Sequence, residues 1–209
     1  DRAALLQEPV AAAMAAMGGA RAASGQFLVY DIGGGTFDLA LVQALRGDIN
    51  IIAHEGINML GGTDFDTRLV NALVRPWLAQ NFRLPENAGD PRLARLWRQA
   101  RHAAELAKIA LSTAALTSIS ASEDDLRLED LDGNPVYLDV PVTRAELDGL
   151  VAEKVEETIA LTRKLLADNH LTHEDIDRIV LIGGPTKMPL IREHVPQGLG
   201  IPCDATIDP

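Results

Sequence analysis

Hydrophobic and polar positions change period several times along this chain, and each change marks a predicted element. Phe27 to Tyr30 is a continuous apolar run, and after Asp31-Ile32 and three glycines a second apolar-rich run follows at Leu39 to Val42. The pattern predicts a strand near 27–32, a tight glycine turn, and a strand over 36–45. A third strand is predicted over 49–57, with Gly47-Asp48 turning the second into it. Beyond Gly61-Gly62 the period becomes helical from about Thr63 to Gln80, with Asp64 and Asp66 near the positive end of the helix dipole. Leu84 to Asp90 is a loop. Leu93, Leu96, Trp97, Ala100, Ala104, Ala107 and Leu111 then repeat at helical spacing and predict a helix from Pro91 to about Thr113.

Residues 115–141 return to strand-like patterning over 116–121, 126–131 and 136–140, with Asp132-Gly133-Asn134-Pro135 as a turn between the last two. Thr143-Arg144-Ala145-Glu146 is a capping box, and Leu147, Leu150, Val151, Val155, Ile159, Thr162 and Leu165 carry its helix to about Asp168. The β-branched run 179–182, the pair Gly183-Gly184 and a short helix over Pro189 to His194 complete the described pattern. Residues 1–18 read as an alanine-rich helix containing Pro9 and ending at Gly18-Gly19. The order is βββα, an inserted α/β block, then αβα. The apolar strands 27–32 and 179–182 are expected at the centre of a sheet, and the insert as a separate lobe whose strands pack on helices 63–80 and 91–113.

Composition narrows the functional classes. The chain has 209 residues, enough for one or two domains with a sizeable core. Its formal charge of −11 argues against a nucleic-acid or anionic-membrane surface. The longest apolar stretch, Val10 to Met17, is too short to span a bilayer, and no secretory signal is visible. The single cysteine, Cys203, excludes an internal disulfide and suits a reducing, cytoplasmic compartment. Beginning at Asp1 inside a helical pattern, the sequence reads as a piece of a longer protein.

The chemistry concentrates in Asp31-Ile32-Gly33-Gly34-Gly35-Thr36-Phe37-Asp38. Glycines let backbone N–H groups approach a phosphate closely, and the flanking carboxylates suit Mg²⁺ or an attacking water. A hairpin turn with two solvated aspartates is the plainer reading of the same residues. His170 and His173 beside Glu174 and Asp175 occupy a polar joint better suited to solvent than to a metal. Trp77 and Trp97 lie on helical faces and read as core.

Four blocks resemble the ATPase domain of the heat-shock protein 70 (DnaK-type) chaperones: Glu8 to Ala13, Asp31 to Asp38, Leu60 to Asp66, and Ile182 to Pro189. A fifth, Ala104 to Ser112, is weaker. The resemblance implies an α/β fold of the actin-like, ribonuclease-H-like superfold, here lobe II alone with an inserted α+β subdomain. Residues 1–19 would be the helix leaving lobe I, 20–60 and 152–209 subdomain IIA, and 61–151 subdomain IIB.

It implies ATP/ADP and Mg²⁺ as ligands. Gly33, Gly34, Gly35 and Thr36 match a phosphate loop, and Asp31, Asp38 and Glu8 match the acidic residues near the metal and the attacking water. Gly61 and Gly62 match the loop under the adenosine. Gly183, Gly184 and Lys187 match the turn against ribose, phosphates and base. Glu105, Lys108 and Ser112, at i, i+3 and i+7 on one helical face, match the adenosine pocket, with an ordinary surface Glu–Lys pair as the alternative that the spacing leaves open.

Peptide segments, a J-domain co-chaperone and a nucleotide exchange factor on subdomain IIB are the implied partners, with no nucleic acid and no membrane. Lacking the first phosphate loop and the lysine of lobe I, this stretch alone is expected to be catalytically silent. The chain departs from the family pattern at Thr63, Pro185 and Lys187, and an ammonium stacks on a base less well than a guanidinium. A small-molecule kinase or a filament protein of the same superfold is the alternative.

Overall fold

β-branched and aliphatic residues dominate 25–58, and three consecutive strands form there. The computed structural model describes Ala11 and residues 24–45, 48–87 and 90–204. The predicted helix over 1–18 lies outside these residues apart from Ala11, as does Gly47 of the predicted second turn. In chain order the elements are β1 (Gly25–Ile32), β2 (Thr36–Leu45), β3 (Asp48–Asn58), α1 (Gly62–Leu69), α2 (Arg75–Asn81), α3 (Leu93–Leu111) and β4 (Leu116–Ala121). There follow α4 (Glu123–Leu126), β5 (Leu138–Thr143), α5 (Arg144–Asp168), β6 (Arg178–Ile182), α6 (Pro189–Leu199) and β7 (Cys203–Asp204). Two compact units emerge, one from Asp1–Gly62 with Glu153–Pro209, the other from Thr63–Ala152.

The first unit is built on a five-stranded sheet of order β3-β2-β1-β6-β7. β1, β2 and β3 form an antiparallel meander, while β6 lies parallel to β1 and β7 parallel to β6. The most continuously apolar strands, β1 and β6, are both interior, as is β2, because a strand covered on both faces cannot alternate with polar residues. Val29, Ala40, Val42 and Val180 make one apolar cluster, joined by the half-buried Ile49 and Ile182. Tyr30, of opposite parity on β1, donates or accepts a hydrogen bond with Thr158 of α5 and tilts against Phe37 at a ring separation of 4.5 Å. Burial pushes its phenol well above the usual tyrosine range. α5 and α6 are tied by Arg163 Nη2 donating to Gly198 O at 2.5 Å and by His194 Nε2 against Glu156 Oε1 at 2.5 Å.

In the second unit α1 continues through a π turn, Val70–Val74, into α2. Helical period alone predicts an uninterrupted helix over 63–80. Pro76, in the first turn of α2, has no N–H and crowds the preceding carbonyls, and the ladder widens just before it, with Arg75 N–H reaching Val70 O. α3 buries Leu93, Leu96, Ala100, Ala104, Ala107 and Leu111, the stripe its spacing predicts. β4 and β5 pair antiparallel from Leu116↔Thr143 to Ala121↔Leu138 in a sheet of their own. Arg144 closes the end of α3, its Nε donating to Leu111 O and Nη2 to Ala114 O, both at 2.8 Å.

Two strand expectations are corrected. Residues 126–131 are not a strand: Ser122 and Asp125 cap each other's backbone, Ser122 N–H to Asp125 Oδ2 at 3.0 Å and Asp125 N–H to Ser122 Oγ at 3.2 Å, and the short helix α4 results. The carboxylate of Asp130 then accepts from the N–H groups of Asp132 (3.0 Å) and Asn134 (2.8 Å), curling the segment back on itself. The last strand of the insert occupies 138–143, later than the 136–140 expected, because Leu138, Val140 and Val142 are the alternating buried positions. Thr143 still starts the next helix, its N–H donating to Glu146 Oε2 at 2.8 Å and Glu146 N–H to Thr143 Oγ1 at 3.2 Å. The Thr143 hydroxyl, donating to Glu146 Oε2 at 2.7 Å, and after it the Thr143 N–H hold the Glu146 carboxyl below the usual range.

Candidate functional site

The β1–β2 hairpin places Asp31 directly opposite Asp38, with Ile32 opposite Phe37 at the last rung. Gly33 N–H donates to Thr36 O at 2.9 Å and closes the turn. Facing carboxylates on one face of a pair repel each other, and a position of that kind is stabilised by a cation. Asp31 is half-buried and Asp38 exposed, as are Gly34, Gly35 and Thr36 at the tip. Thr36 Oγ1 donates to Asp38 Oδ2 at 2.9 Å, fixing one carboxylate oxygen from within the turn. Neither Gly33 nor Gly35 uses a left-handed φ. Their contribution is a turn without side chains over its N–H groups.

Positions where only glycine fits lie beside the hairpin. A β-carbon on Gly61 would stand 2.6 Å from Gly33 O and 2.8 Å from the carbonyl carbon of Gly34, and Gly62 N–H donates to Gly33 O at 3.0 Å. Gly183 has φ 91°, and a β-carbon there would meet Ile32 O at 2.0 Å and Asp31 Oδ1 at 3.0 Å. Gly61 and Gly183 therefore abut the hairpin backbone, which their missing side chains admit, and Gly62 is hydrogen-bonded to it. From Gly184 to Lys187 the chain makes one 3-10 turn, held by Thr186 Oγ1 donating to Gly183 O at 2.6 Å. Pro185 is buried in that turn at a position whose N–H would have no partner within it, so proline there costs the fold nothing. Lys187 is exposed.

A cleft of about 520 Å³ opens along one face of this sheet, lined by Asp31, Asp38, Val29, Ala40, His54 and Gly56 among others. Among the described residues no group of three or more His, Cys, Asp or Glu side chains is placed to hold a metal ion, His170 and His173 included. Two carboxylates are nevertheless a fitting donor set for Mg²⁺, which keeps several waters and takes phosphate oxygens alongside one or two protein carboxylates. Glu8 lies outside the described residues.

Glu105 and Lys108 belong to α3 and Ser112 caps its C-terminal end, all in the second unit. Their sequence spacing suggested a Glu105–Lys108 surface pair or a ligand face. Lys108 is instead buried, with Nζ 2.7 Å from Asp66 Oδ1, both side chains about 9% exposed. Burial raises the Asp66 carboxyl above its ordinary value against the opposing pull of Lys108. Glu105 is exposed and lies 3.7 Å from His102 Nδ1, and Ser112 is half-buried at the end of the helix. Sequence reading placed Asp66 at the helix dipole and missed this pair. Its signal was present in the positions Leu69 and Val70, at i+3 and i+4, which put Asp66 on the buried face of α1. Trp77 packs at a tilt against Phe82 and edge-on against Tyr137, and Arg75 lies 4.1 Å above the Trp97 ring, so neither indole is a bare platform.

Comparison with known proteins follows the same residues. The family model described as "Hsp70 protein" matches residues 2–209. The chaperone protein DnaK of Thermosipho melanesiensis is 34% identical over 205 residues, covering 98% of this chain and 33% of that protein. Those of Thermotoga maritima and Thermosipho africanus are each 33% identical over the same length, with the same coverage. The chain thus spans about a third of the length of the curated relatives it matches.

Proposed function

From the premise that the chain belongs to the Hsp70 protein family and shares its actin-like α/β fold, we propose that it supplies half of the ATP-binding domain of a molecular chaperone. In that role ATP binding and hydrolysis drive capture and release of peptide segments. The observation that carries the reading is the hairpin with Asp31 opposite Asp38 across a glycine turn, clasped by Gly61, Gly62 and Gly183. Kinase and filament readings of the superfold lose their footing once the family is assigned. Residues 1–19 are assigned to the helix leaving lobe I, 20–60 and 152–209 to subdomain IIA, and 61–151 to subdomain IIB.

N–H groups of Gly34, Gly35 and Thr36 would bind phosphate oxygens, in a loop closed by the Gly33 N–H on Thr36 O, while Asp31 and Asp38, with Glu8 as the resemblance implies, would hold Mg²⁺. Mg²⁺, when bound, neutralises charge that builds on the transferring phosphoryl group. The Thr36 hydroxyl fixes one oxygen of Asp38, which supports reading this carboxylate as the one that would order an attacking water. The resemblance assigns the nucleoside to Gly61, Gly62, Gly183, Gly184 and Lys187, and, on the second unit, to Glu105, Lys108 and Ser112. Lys108 acts in this scheme as a neutralised pair with Asp66, a hydrogen-bond donor more than a free cation. A J-domain co-chaperone and an exchange factor docking on subdomain IIB complete the cycle. No helix among the described residues is long and apolar enough to cross a membrane, and we place the protein in the cytoplasm, where a lone Cys203 stays reduced.

The test is titration of the chain with ADP and Mg²⁺, following backbone amide shifts. Shifts centred on Gly33 to Thr36, with affinity weaker than about micromolar (about −8 kcal/mol), are expected when one wall of the site is missing. Absence of any shift in the hairpin at saturating nucleotide overturns the reading.

A further inference from the structure

We propose that Gly56 is a positioning residue for Asp38, an inference that rests on the reading of Asp38 as a metal-orienting carboxylate. Gly56 on β3 is the cross-strand partner of Asp38 on β2. A β-carbon on Gly56 would stand 2.9 Å from Phe37 O and 3.3 Å from Asp38 Oδ1. Phe37 is completely buried and packed against Tyr30, so its carbonyl has no room to retreat. The group free to move is the exposed Asp38 side chain. Its other oxygen, Oδ2, accepts the hydrogen bond from Thr36 Oγ1 at 2.9 Å. The carboxylate is therefore set between a hydroxyl on its own strand and a bare α-carbon on the neighbouring one.

Conformational freedom does not explain this glycine. Gly56 lies outside the left-handed φ region, unlike Gly183, where φ alone demands glycine. Glycine in a strand interior weakens the strand and marks a place where something approaches closely. Here the close approach is made by the Phe37 carbonyl and the Asp38 carboxylate, and Gly56 lines the same cleft as Asp31 and Asp38. Room beside the carboxylate is the property that a side chain at 56 would remove.

The test compares Gly56→Ala, Asp38→Asn and Gly149→Ala in the whole protein, with Mn²⁺ as the spectroscopic probe and ADP as the nucleotide. Gly149 is an exposed control, where an added β-carbon meets nothing within 4 Å. We expect Gly56→Ala to weaken Mn²⁺ binding to the ADP complex about tenfold, the low end of the cost of losing a group that orients a metal ligand. Nucleotide affinity without divalent cation should be unchanged for Gly56→Ala, and both readouts unchanged for Gly149→Ala. If Asp38→Asn weakens Mn²⁺ binding and Gly56→Ala does not, the role of Gly56 is overturned while the reading of the site stands. If Asp38→Asn also leaves Mn²⁺ binding intact, the reading of the site itself falls. Should Gly56→Ala not fold, an experimental structure of the unsubstituted protein decides: a single Asp38 rotamer with Oδ1 toward Gly56 supports the proposal, and two rotamers overturn it.

Discussion

Removing either partner of the Asp66–Lys108 pair should destabilise the second unit far more than removing both. At 2.7 Å, two unit charges attract by about 6 kcal/mol at an effective dielectric of about 20. Desolvating each ion costs several kcal/mol, so the intact pair comes out near balance. Taking away one partner leaves the other's desolvation uncompensated. Asp66→Asn should therefore cost about 3–5 kcal/mol, and Asp66→Asn combined with Lys108→Met should recover at least about 2 of it. Lys108→Met adds a pH signature. Burial, the largest influence on Asp66, and Glu105 both raise its carboxyl, and only Lys108 lowers it. Without Lys108 the folded-state value moves further above the ordinary 3.8. A carboxyl raised on folding contributes stability that is full below its unfolded value and lost as pH rises through its folded value. The Lys108→Met penalty should accordingly be smaller at pH 5 than at pH 8. Both tryptophans, Trp77 and Trp97, lie in this unit, so denaturant unfolding followed by indole fluorescence reports it without signal from the first unit. Single variants within about 1 kcal/mol of the unsubstituted protein at pH 8, or additive effects in the cycle, would refute the reasoning.

Other consequences follow from the same structure. Tyr30→Phe removes one hydroxyl from the buried contact with Thr158 and should cost about 1 kcal/mol near neutral pH by circular dichroism. Because folding raises the Tyr30 phenol, the intact protein should lose stability above about pH 10 and the variant less, and a deficit that persists unchanged would count against this. Thr143→Ala deletes one side of the capping box and should cost about 1 kcal/mol in the fluorescence assay, with Thr143→Ser nearly neutral. Gly183→Ala drives a β-carbon to 2.0 Å from Ile32 O at a left-handed φ and should abolish folding, whereas Gly184→Ala meets nothing within 4 Å and should stay within about 0.5 kcal/mol. Soluble, cooperatively melting Gly183→Ala protein would show that the close approach is not as drawn.

How far the sequence alone determined this protein depends on how local each cause was. Strands β1, β2, β3 and β6 follow from apolar runs bounded by glycines, and α3 and α5 from stripes and a capping box, so their existence was legible within a few residues. The hairpin geometry was legible too, because Asp31, the glycines and Asp38 lie within one turn. Residues 126–131 misled because Leu126 and Leu128 alternate with charged residues like a strand, while two aspartates at 125 and 130 hold the backbone by hydrogen bonds that hydropathy does not register. Tertiary structure alone decided that Lys108 faces Asp66, 42 positions away in the chain, and not Glu105 three residues before it. It also decided which glycines are irreplaceable. Gly33, Gly35, Gly56, Gly61 and Gly183 look alike in a sequence, yet the need for glycine at 56, 61 and 183 comes from atoms of other segments that arrive within 3 Å of an absent β-carbon. Propensity and period are properties of neighbours along the chain; steric room and the desolvation of a charge exist only once distant segments have packed.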